Sequence, residues 1–529
     1  MDTILDLHDI QGIIMRSYPD YGLIKARYIF FTISNGDHGR LFIKELEGVT
    51  TSSAPWGQTG GIDWPVATTN VALTYNGLKR LGVPTLTLAS FPDEFIMGMR
   101  SRKTILGDDG TSEPECWDEV WRKDVHIMVS IGAANEENVE NRYQEVLSFQ
   151  KDLSGVELLK GHRGENDCYQ SASVLYDENG LPTNKEHFGY SDGISNPFFK
   201  GMTADMGELV GGGKKSSIKS NGYGNPKDEK TWQPLETGEF ILGYKDEAQE
   251  LPVAPFPPFM GKNGSFLVYR KLHENVGKFN GYLDEHAESY EGGREKLAAK
   301  FAGRWRNGVP ITTYPDETEA NALAQRRSLA QANMAKAISG QEKLAALAEF
   351  KEVNKEFVGF DYNDDISGGK CPVGAHMRRM NPRGALEFGV KKAFDTPSAL
   401  ADRRRILRRG LPYGQAQTPE SNDGEHGIIF MAIVANIKRQ FEFVQQQWMN
   451  YGNDFKLAND KDPLAGNHHE ADHRLTDNRM IVEGDKSKNI VPHCLSHIPR
   501  FVETRGGEYF FIPSLTALRM IGEGIIDPT

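Results

Sequence analysis

One histidine, His376, stands in a segment rich in turn residues and arginines. The segment KCPVGAHMRRMNPRGALEFGV, residues 370–390, places Arg378, Arg379 and Arg383 beside the imidazole. A neutral imidazole is a common ligand of metal ions, and it is also an ordinary structural side chain. The segment alone leaves both interpretations open: a structural histidine, or the one protein ligand of a bound metal or cofactor.

A second group, in the stretch HHEADH at residues 468–473, matches the pattern of the zinc proteases. In that pattern His469 and His473 bind the metal from one face of a helix, and Glu470 acts on the bound water. The surrounding sequence NDKDPLAGNHHEADHRLTDN is rich in Asn, Asp, Gly and Pro and lacks the apolar face that such a helix buries. A polar loop that matches by chance is therefore favoured over a zinc site.

A carboxylate in the segment HFGYSDGISNPFF, Asp192, is the third candidate. Gly193 follows it directly, Asn196 and Pro197 come shortly after, and Asp-Gly and Asn-Pro are dipeptides typical of turns. Composition alone therefore predicts a turn at Asp192 and gives no separate indication of catalysis.

The overall composition resembles that of ordinary globular proteins and excludes one class of partner. The chain has 529 residues, 38% hydrophobic and 25% charged, with a formal net charge of −12. An acidic chain lacks the basic surface that phosphate backbones require, so nucleic acid is excluded as the main partner. Four scattered cysteines without a CxxC pair give no cysteine metal site. No signal peptide and no apolar run of membrane-spanning length are seen, which predicts a cytoplasmic location and no membrane association.

The elements that must position these residues alternate between strand and helix patterns. Aromatic and β-branched runs predict strands at 28–34, 126–133, 156–161, 264–272 and 427–435. Capped or amphipathic runs predict helices at 68–83, 137–153, 273–283 and 436–450. A stretch at 318–357, rich in good helix formers, predicts an inserted pair of helices broken near Gly340, and 201–225 predicts an exposed loop. This pattern indicates an α+β fold with two sheet domains.

Several segments, taken in order, resemble one protein family. FGYSDGISNP resembles the GxxDG signature of the dye-decolorising peroxidases, which are haem enzymes. CPVGAHMRRMNPRG is similar to that family's proximal histidine segment, and RRRILRRGLPYG to its distal arginine segment. The resemblance implies two ferredoxin-like domains with antiparallel sheets: residues 1–225 with the GxxDG motif, and residues 226–529 with the insertion at about 318–357. Haem would lie between the sheet and the helices of the C-terminal domain.

The resemblance also implies roles for individual residues around one haem b per chain. His376 would be the axial ligand of the iron, Asp192 the distal acid–base group and Arg408, rather than Arg409, the distal positive charge. The other residues implied at the haem are Ile428 and Phe430 over the distal pocket, and Arg383, Ile194 and Asn196 near the propionates. Asp462 is the expected hydrogen-bond partner of His376, with Glu442 as the second choice.

These residue types suit the cleavage of the O–O bond of hydrogen peroxide. A ligating imidazole needs its other nitrogen held by a hydrogen bond, and a carboxylate can move a proton between two oxygens. An arginine stays charged when buried and can stabilise developing negative charge. The resemblance thus implies a haem peroxidase that oxidises phenolic or dye-like donors.

Bulky donors cannot reach an enclosed haem, so oxidisable side chains near the surface would pass their electrons inward. Tyr413 and Trp448 are the candidates that the resemblance suggests, and both also suit ordinary structural roles. The insertion at 318–357 could shape the substrate entrance or form an interface in a homo-oligomer. Two alternatives stay open: a haem-binding or haem-handling protein without peroxide turnover, and a zinc metalloprotease that uses His469, Glu470 and His473.

Overall fold

Strands form where the sequence carries runs of β-branched and aromatic residues, which pack well on a pleated surface. The computed structural model describes residues 4–57, 63–164, 166–202, 211–215, 232–336, 340–387, 399–416, 418, 420–469, 478–484 and 490–526. Its strands are β1 Lys25–Ile33, β2 Ala67–Leu73, β3 Ile127–Ala133, β4 Val156–Leu158, β5 Gln170–Ser173, β6 Lys214–Lys215, β7 Trp232–Gln233, β8 Ser265–Glu274, β9 Leu407–Arg408, β10 Leu411–Tyr413, β11 Gly427–Val434, β12 Met480–Val482, β13 His493–Leu495 and β14 Val502–Ile512.

Within the described ranges, ten of these strands form one sheet. Its order is β10-β11-β8-β14-β2-β3-β1-β4, with β5 paired to β1 and β9 paired to β11, and the pairs are antiparallel. Strands that precede residue 225 occupy one half of the sheet and strands that follow it occupy the other, joined by the pairing of Phe511 with Leu73. The predicted α+β class with antiparallel sheets is confirmed. The division at residues 225/226 lies outside the described residues and stays a prediction.

Several helices pack against the sheet. The helices are α1 Gly12–Met15, α2 Gly36–Val49, α3 Tyr75–Arg80, α4 Thr85–Ala89, α5 Asp93–Met97, α6 Lys103–Leu106, α7 Glu136–Gln150, α8 Pro258–Gly261, α9 Val276–Ala287, α10 Gly293–Ala302, α11 Glu317–Lys336, α12 Gly340–Val358, α13 His376–Met380, α14 Ala399–Asp402 and α15 Leu515–Glu523. Two π-helical segments, Lys438–Glu442 and Val444–Met449, fill the predicted helix at 436–450. In the part of the chain that the structure covers, no helix is both long enough and apolar enough to cross a bilayer.

The helix predicted at 68–83 is wrong in its first half. Residues Ala67–Leu73 form strand β2, fully buried between β3 and β14, and the helix begins only at Tyr75. The β-branched residues Thr68, Thr69 and Val71 favour an extended chain, and both neighbouring strands supply hydrogen-bond partners. The N-cap of the helix is Thr74 and not Thr68: the Thr74 hydroxyl accepts the Gly77 N–H at 3.0 Å.

The inserted helices at 318–357 are confirmed as α11 and α12. They pack on the rest of the chain through Leu323, Val353 and Phe357, which join a buried cluster around Trp305 and Val309. The exposed loop predicted at 201–225 is wrong for Gly211–Gly213, which are buried, because Gly211 lies against the carbonyl of Val358 with no room for a side chain. The other residues of that loop beyond Met202, apart from the short strand β6, lie outside the described ranges.

Candidate functional site

The imidazole of His376 is held by a buried carboxylate. His376 begins α13, and its Nδ1 lies 3.1 Å and 3.0 Å from the two carboxylate oxygens of Asp462. Burial would lower the pKa of His376, but the Asp462 charge and hydrogen bond outweigh it, so the pKa lies above its ordinary value. With Nδ1 engaged, Nε2 is the nitrogen that remains for a metal ion.

Asp462 is fixed by backbone contacts on several sides. Its side chain is fully buried and accepts the N–H groups of Leu464 and Ala465, each at 2.9 Å. Its own N–H donates to the carbonyl of Met449 at the end of the second π-helical segment. This geometry gives His376 a rigid acceptor, as the sequence predicted for Asp462. Glu442 is no alternative partner, because it pairs with Arg102 and accepts the Tyr509 hydroxyl at 2.9 Å.

Facing this pair, Asp192 and Arg408 form a hydrogen-bonded ion pair. Asp192 lies in the predicted turn, where Gly193 adopts φ +76° and donates its N–H to the carboxylate at 2.7 Å. Burial would raise the pKa of Asp192, but the Arg408 charge and hydrogen bond hold it below its ordinary value. Arg409 points elsewhere and donates to the carbonyls of Ile13 and Ile14. The structure thus brings Arg408, and not Arg409, to Asp192.

Strand β11 fixes the position of Arg408. Arg408 lies opposite Ala432 in the β9–β11 pairing, and directly opposed residues of an antiparallel pair share one face. Ile428 and Phe430 alternate onto the same face of β11, and both are half-buried, whereas Ile429 and Met431 on the other face are buried. The residues predicted over the distal pocket therefore lie on the Arg408 side of the sheet.

Side chains from both pairs reach a space that is open to solvent. The side chains of His376, Arg408 and Asp192 remain 26%, 29% and 41% accessible, although Ala375, Leu407 and other neighbours are fully buried. Each pair also acts on the other: Arg408 opposes the raised pKa of His376, and His376 contributes to the lowered pKa of Asp192. A flat group bound between them would contact His376 on one side and the Asp192–Arg408 pair on the other.

A buried cluster of arginines borders this space. Arg304, Arg383 and Arg405 are each at least nine-tenths buried, and burial lowers the pKa of Arg383 to about 9 and that of Arg304 to about 10. Arg383, at φ +51°, donates to the carbonyls of Val358 and Phe360, while Nη2 of Arg405 has no hydrogen-bond partner in the described structure. A buried, unpaired guanidinium nitrogen is costly, so an anion is expected here.

Haem matches this donor set, since it brings an iron for His376 and two carboxylates for the arginines. The sequence named Arg383 and missed Arg304 and Arg405, which no motif distinguishes from the many other arginines. Asn196 accepts the Arg408 N–H at 3.1 Å, and Ile194 is half-buried against the Trp305 cluster. Propionate contacts of Arg383, Ile194 and Asn196 stay predictions.

Other predicted residues lie away from this space. Tyr413 and Trp448 are only 2% and 1% exposed, so the predicted near-surface position is wrong for both. Tyr413 is buried because β10 pairs with β11, and Trp448 because it packs between Phe443 and Phe455. Of the zinc-protease pattern, Glu470 and His473 lie outside the described residues. Among those described, no three His, Cys, Asp or Glu side chains are grouped as metal ligands.

A cluster of exposed aromatic rings was missed by the sequence analysis. Trp64 and Tyr21 are 59% and 44% exposed, and their rings lie 5.4 Å and 5.2 Å from that of buried Trp56. Trp56 stacks on Tyr18 at 6.3 Å. Tyr18 in turn lines a small cavity with Arg409 and Met431, on the opposite face of β11 from Phe430. These rings come from separate loops and turns, so no sequence periodicity links them.

Comparisons with known proteins show which family the chain resembles. Two family models match the chain: the DyP dimeric alpha+beta barrel domain over residues 9–163, and the C-terminal Dyp-type peroxidase model over residues 393–467. The chain is 28% identical over 540 residues to dye-decolorizing peroxidase msp1 of Mycetinis scorodonius, covering 98% of this chain and 88% of that protein.

Among solved structures, an ancestral D-type dye decolorizing peroxidase is similar with 25% identity and a TM-score of 0.69, over 98% of this chain and 99% of that chain. A fungal DyP-type peroxidase from Auricularia auricula-judae is similar in fold, with 24% identity and a TM-score of 0.70, over 99% of this chain and 100% of that chain. The second family segment contains Arg408 and Asp462, while Asp192 and His376 lie outside both segments.

Proposed function

Since this chain belongs to the dye-decolorising peroxidase family and is a peroxidase, we propose that it reduces hydrogen peroxide at a haem b and oxidises phenolic or dye-like donors. The observation that carries the proposal is that the pairs His376–Asp462 and Asp192–Arg408 act on each other electrostatically while His376, Asp192 and Arg408 stay partly accessible. A haem-handling protein would need an iron ligand but no acid–base pair opposite it.

Haem would be held by His376 through Nε2 and by the arginine cluster through its propionates. When bound, it supplies the electrons that the O–O bond accepts as it breaks. Asp462 keeps Nδ1 of His376 as a hydrogen-bond donor, which fixes the tautomer and orients the ring. Ile428 and Phe430 supply an apolar surface over the distal side, which limits the water that can enter.

Asp192 carries out the proton transfer. Its lowered pKa keeps it ionised, so it can accept a proton from one oxygen of hydrogen peroxide and deliver it to the other. The leaving oxygen then departs as water. Arg408 holds Asp192 in place through their hydrogen bond and offers positive charge to the departing oxygen. General acid–base catalysis of this kind contributes roughly 10²–10⁴-fold to a rate.

Bulky donors would be oxidised at the exposed aromatic cluster formed by Trp64, Tyr21 and Trp56. Aromatic rings about 5–6 Å apart, leading from the surface to Tyr18, support this assignment. One electron and one proton leave each phenolic donor, and two donors balance the two electrons that hydrogen peroxide takes up in forming two waters. The cluster replaces Tyr413 and Trp448 as the surface site, since neither of those rings reaches solvent.

An absorption spectrum of the purified chain, before and after one equivalent of hydrogen peroxide, tests the main proposal. We expect a Soret band that shifts with peroxide and that is lost or altered in His376→Ala. A band that peroxide does not move would indicate haem handling. Absence of haem after supplementing the expression host, with stoichiometric zinc instead, would favour the metalloprotease alternative at His469.

The donor site is tested with Trp64→Phe, using Trp232→Phe as the matched control. Phenylalanine keeps an aromatic ring but is much harder to oxidise. We expect slower turnover of a large dye, unchanged turnover of a small phenol, and a radical-trap adduct that maps by mass spectrometry to Trp64 or Tyr21 in the unmodified chain. Equal dye turnover in both variants, with no adduct at either ring, would contradict this donor site.

A further inference from the structure

Two carboxyl groups, the half-buried Glu186 and the buried Glu274, lie in contact behind the distal loop. Glu274 ends strand β8 and is 4% exposed, and it hydrogen-bonds to the side chain of Glu186. Neither carboxyl forms an ion pair within the described residues, and Arg306, a cation that acts on Glu186, is itself paired with Glu295 at 2.8 Å. Two ionised carboxylates cannot stay in contact without a cation, so one of them must carry a proton.

The hydrogen bonds indicate which of the two is protonated. Glu186 accepts the N–H of Phe188 on one oxygen and the N–H of Tyr190 on the other, both at 2.7 Å. Two donors on two oxygens describe a carboxylate. Glu274 accepts only the N–H of His187, at 3.3 Å, which leaves it free to act as the donor toward Glu186.

Glu186 closes the turn that leads to Asp192. Besides the two side-chain contacts, its N–H donates to the carbonyl of Tyr190 at 3.1 Å, and its carbonyl accepts the N–H of Gly189 at 2.9 Å. The chain then enters the FGYSDG segment two residues after Glu186. The conformation of this turn therefore sets where the Asp192 carboxylate stands.

We propose that Glu186 and Glu274 share one proton, held by Glu274, and that this pair positions the distal loop so that Asp192 meets Arg408. The inference rests on the proposed role of Asp192. Both Glu186 and Glu274 act on Asp192 electrostatically, so ionisation of the pair would place an extra negative charge behind it. The pair is thus a positioning device and contacts neither peroxide nor haem.

The charged groups around the pair agree with a shared proton. Burial, more than the nearby Asp192, raises the pKa of Glu186 to about 7, and burial with Glu186 raises the pKa of Glu274 well above its ordinary value. Burial also lowers the pKa of His187 and holds that of His426 at about 4, so both nearby imidazoles are neutral at pH 7. Besides Arg306, His273 acts as a positive charge on both imidazoles, but its two ring nitrogens each lie 2.8 Å from a backbone carbonyl, of His426 and Asn422, and it forms no ion pair with either carboxyl in the described structure.

Proton linkage gives the first test, measured on the full-length holoenzyme. Unfolded carboxyls lose their protons near pH 4–5, whereas the folded pair keeps one to neutral pH or above. Over this interval the folded chain holds one proton more than the unfolded chain, so its free energy of unfolding falls as pH rises. The unfolding equilibrium constant then increases by up to tenfold per pH unit. We expect the pH slope of the free energy of unfolding to be smaller in Glu274→Gln by the contribution of one proton. The control Glu178→Gln, in the exposed neighbouring loop, should have the wild-type slope.

The two positions should respond differently. Glu274→Gln can donate to Glu186 as the protonated acid does, so the distal loop is expected to stay in place. In the wild-type chain, ionisation of the pair should lower kcat/KM for peroxide near neutral pH, and we expect Glu274→Gln to lack this decline. Glu186→Gln must set an amide N–H₂ against one of the two backbone N–H groups that Glu186 accepts, so its kcat/KM should fall tenfold or more at every pH. An infrared band of a protonated carboxyl at pH 7, lost in Glu274→Gln, would locate the proton directly.

Identical slopes for the wild-type chain and Glu274→Gln, or an infrared band at pH 7 that Glu274→Gln leaves unchanged, would overturn the proposal. Failure of the proposed function gives a different pattern. Peroxide turnover would then be absent from every variant and from the wild-type chain, while the stability slope and the infrared band would still report on the pair.

Discussion

Replacing Arg408 by leucine tests the distal site most directly. The guanidinium makes a charged hydrogen bond to Asp192 and keeps 29% of its surface open to the space in front of His376. Removing one fixed donor to a developing negative charge typically lowers kcat about 10²–10³-fold, or roughly 3–4 kcal/mol. We expect a loss of this size in kcat/KM for hydrogen peroxide, measured by stopped-flow absorbance of the haem.

The same variant should move the acid limb of the pH profile. In the wild-type chain, burial would raise the pKa of Asp192 and Arg408 outweighs it, so the carboxylate is ionised down to pH values below its ordinary pKa of 3.8. Without Arg408, burial acts unopposed and the pKa rises. Because Asp192 must be ionised to accept a proton from peroxide, the rate should begin to fall at a higher pH in Arg408→Leu.

Two further variants show whether charge or shape matters at position 408. Arg408→Lys keeps the positive charge but not the planar guanidinium group. It should recover part of the rate, and the acid limb of its pH profile should stay at the low pH of the wild-type chain. Arg519→Leu, which removes an exposed ion pair with Glu47, is the matched control and should change neither quantity. If Arg408→Leu stays within threefold of the wild-type rate, or its acid limb does not move, the role given to Arg408 is wrong.

Three other predictions concern the interior around the site. Asp462→Asn should keep haem but lower peroxide reactivity about 10–100-fold, since the His376 ring loses its charged acceptor; unchanged kinetics would contradict this role. Tyr413→Phe should leave turnover intact and be neutral or up to about 1 kcal/mol stabilising in urea unfolding, because the buried hydroxyl has no partner in the described structure; a clear destabilisation would show a hidden partner. Arg405→Met should lower haem affinity in a haem-transfer assay while leaving the haem-free chain equally or more stable, since the unpaired Nη2 is costly without an anion; unchanged haem transfer would remove Arg405 from the haem site.

Local sequence signals predicted much of the fold. The strands β1, β3, β8 and β11 and the helices α7, α11 and α12 all carry patterns that a single segment can show. Strand β2 was missed because its extended form depends on pairing with β3 and β14, of which β14 is more than 400 residues away in sequence. No local propensity records such a partner.

The residues of the candidate site were likewise predicted only in part. Asp192, Arg408, His376 and Asp462 were named from a resemblance, and the structure brings them into two facing pairs. Arg405, Trp64 and Glu274 were not named, since their significance lies in an unpaired nitrogen, an exposed ring and a contact between acids. Tyr413 and Trp448 show the reverse: residue type suggested redox chemistry, and burial removed both from the surface.

The place of β14 in the sheet has a consequence for synthesis of the protein. Val502–Ile512 lies between β8 and β2 and pairs with both, so it joins the two halves of the sheet. A nascent chain that has not reached Val502 therefore exposes the open edge of β8 and the end of β2 at Leu73, and both strands are buried along nearly their whole length in the finished sheet. Such edges invite pairing with other chains. Ribosome-bound chains should accordingly depend on chaperones until β14 emerges, and stable haem uptake should follow completion of the sheet.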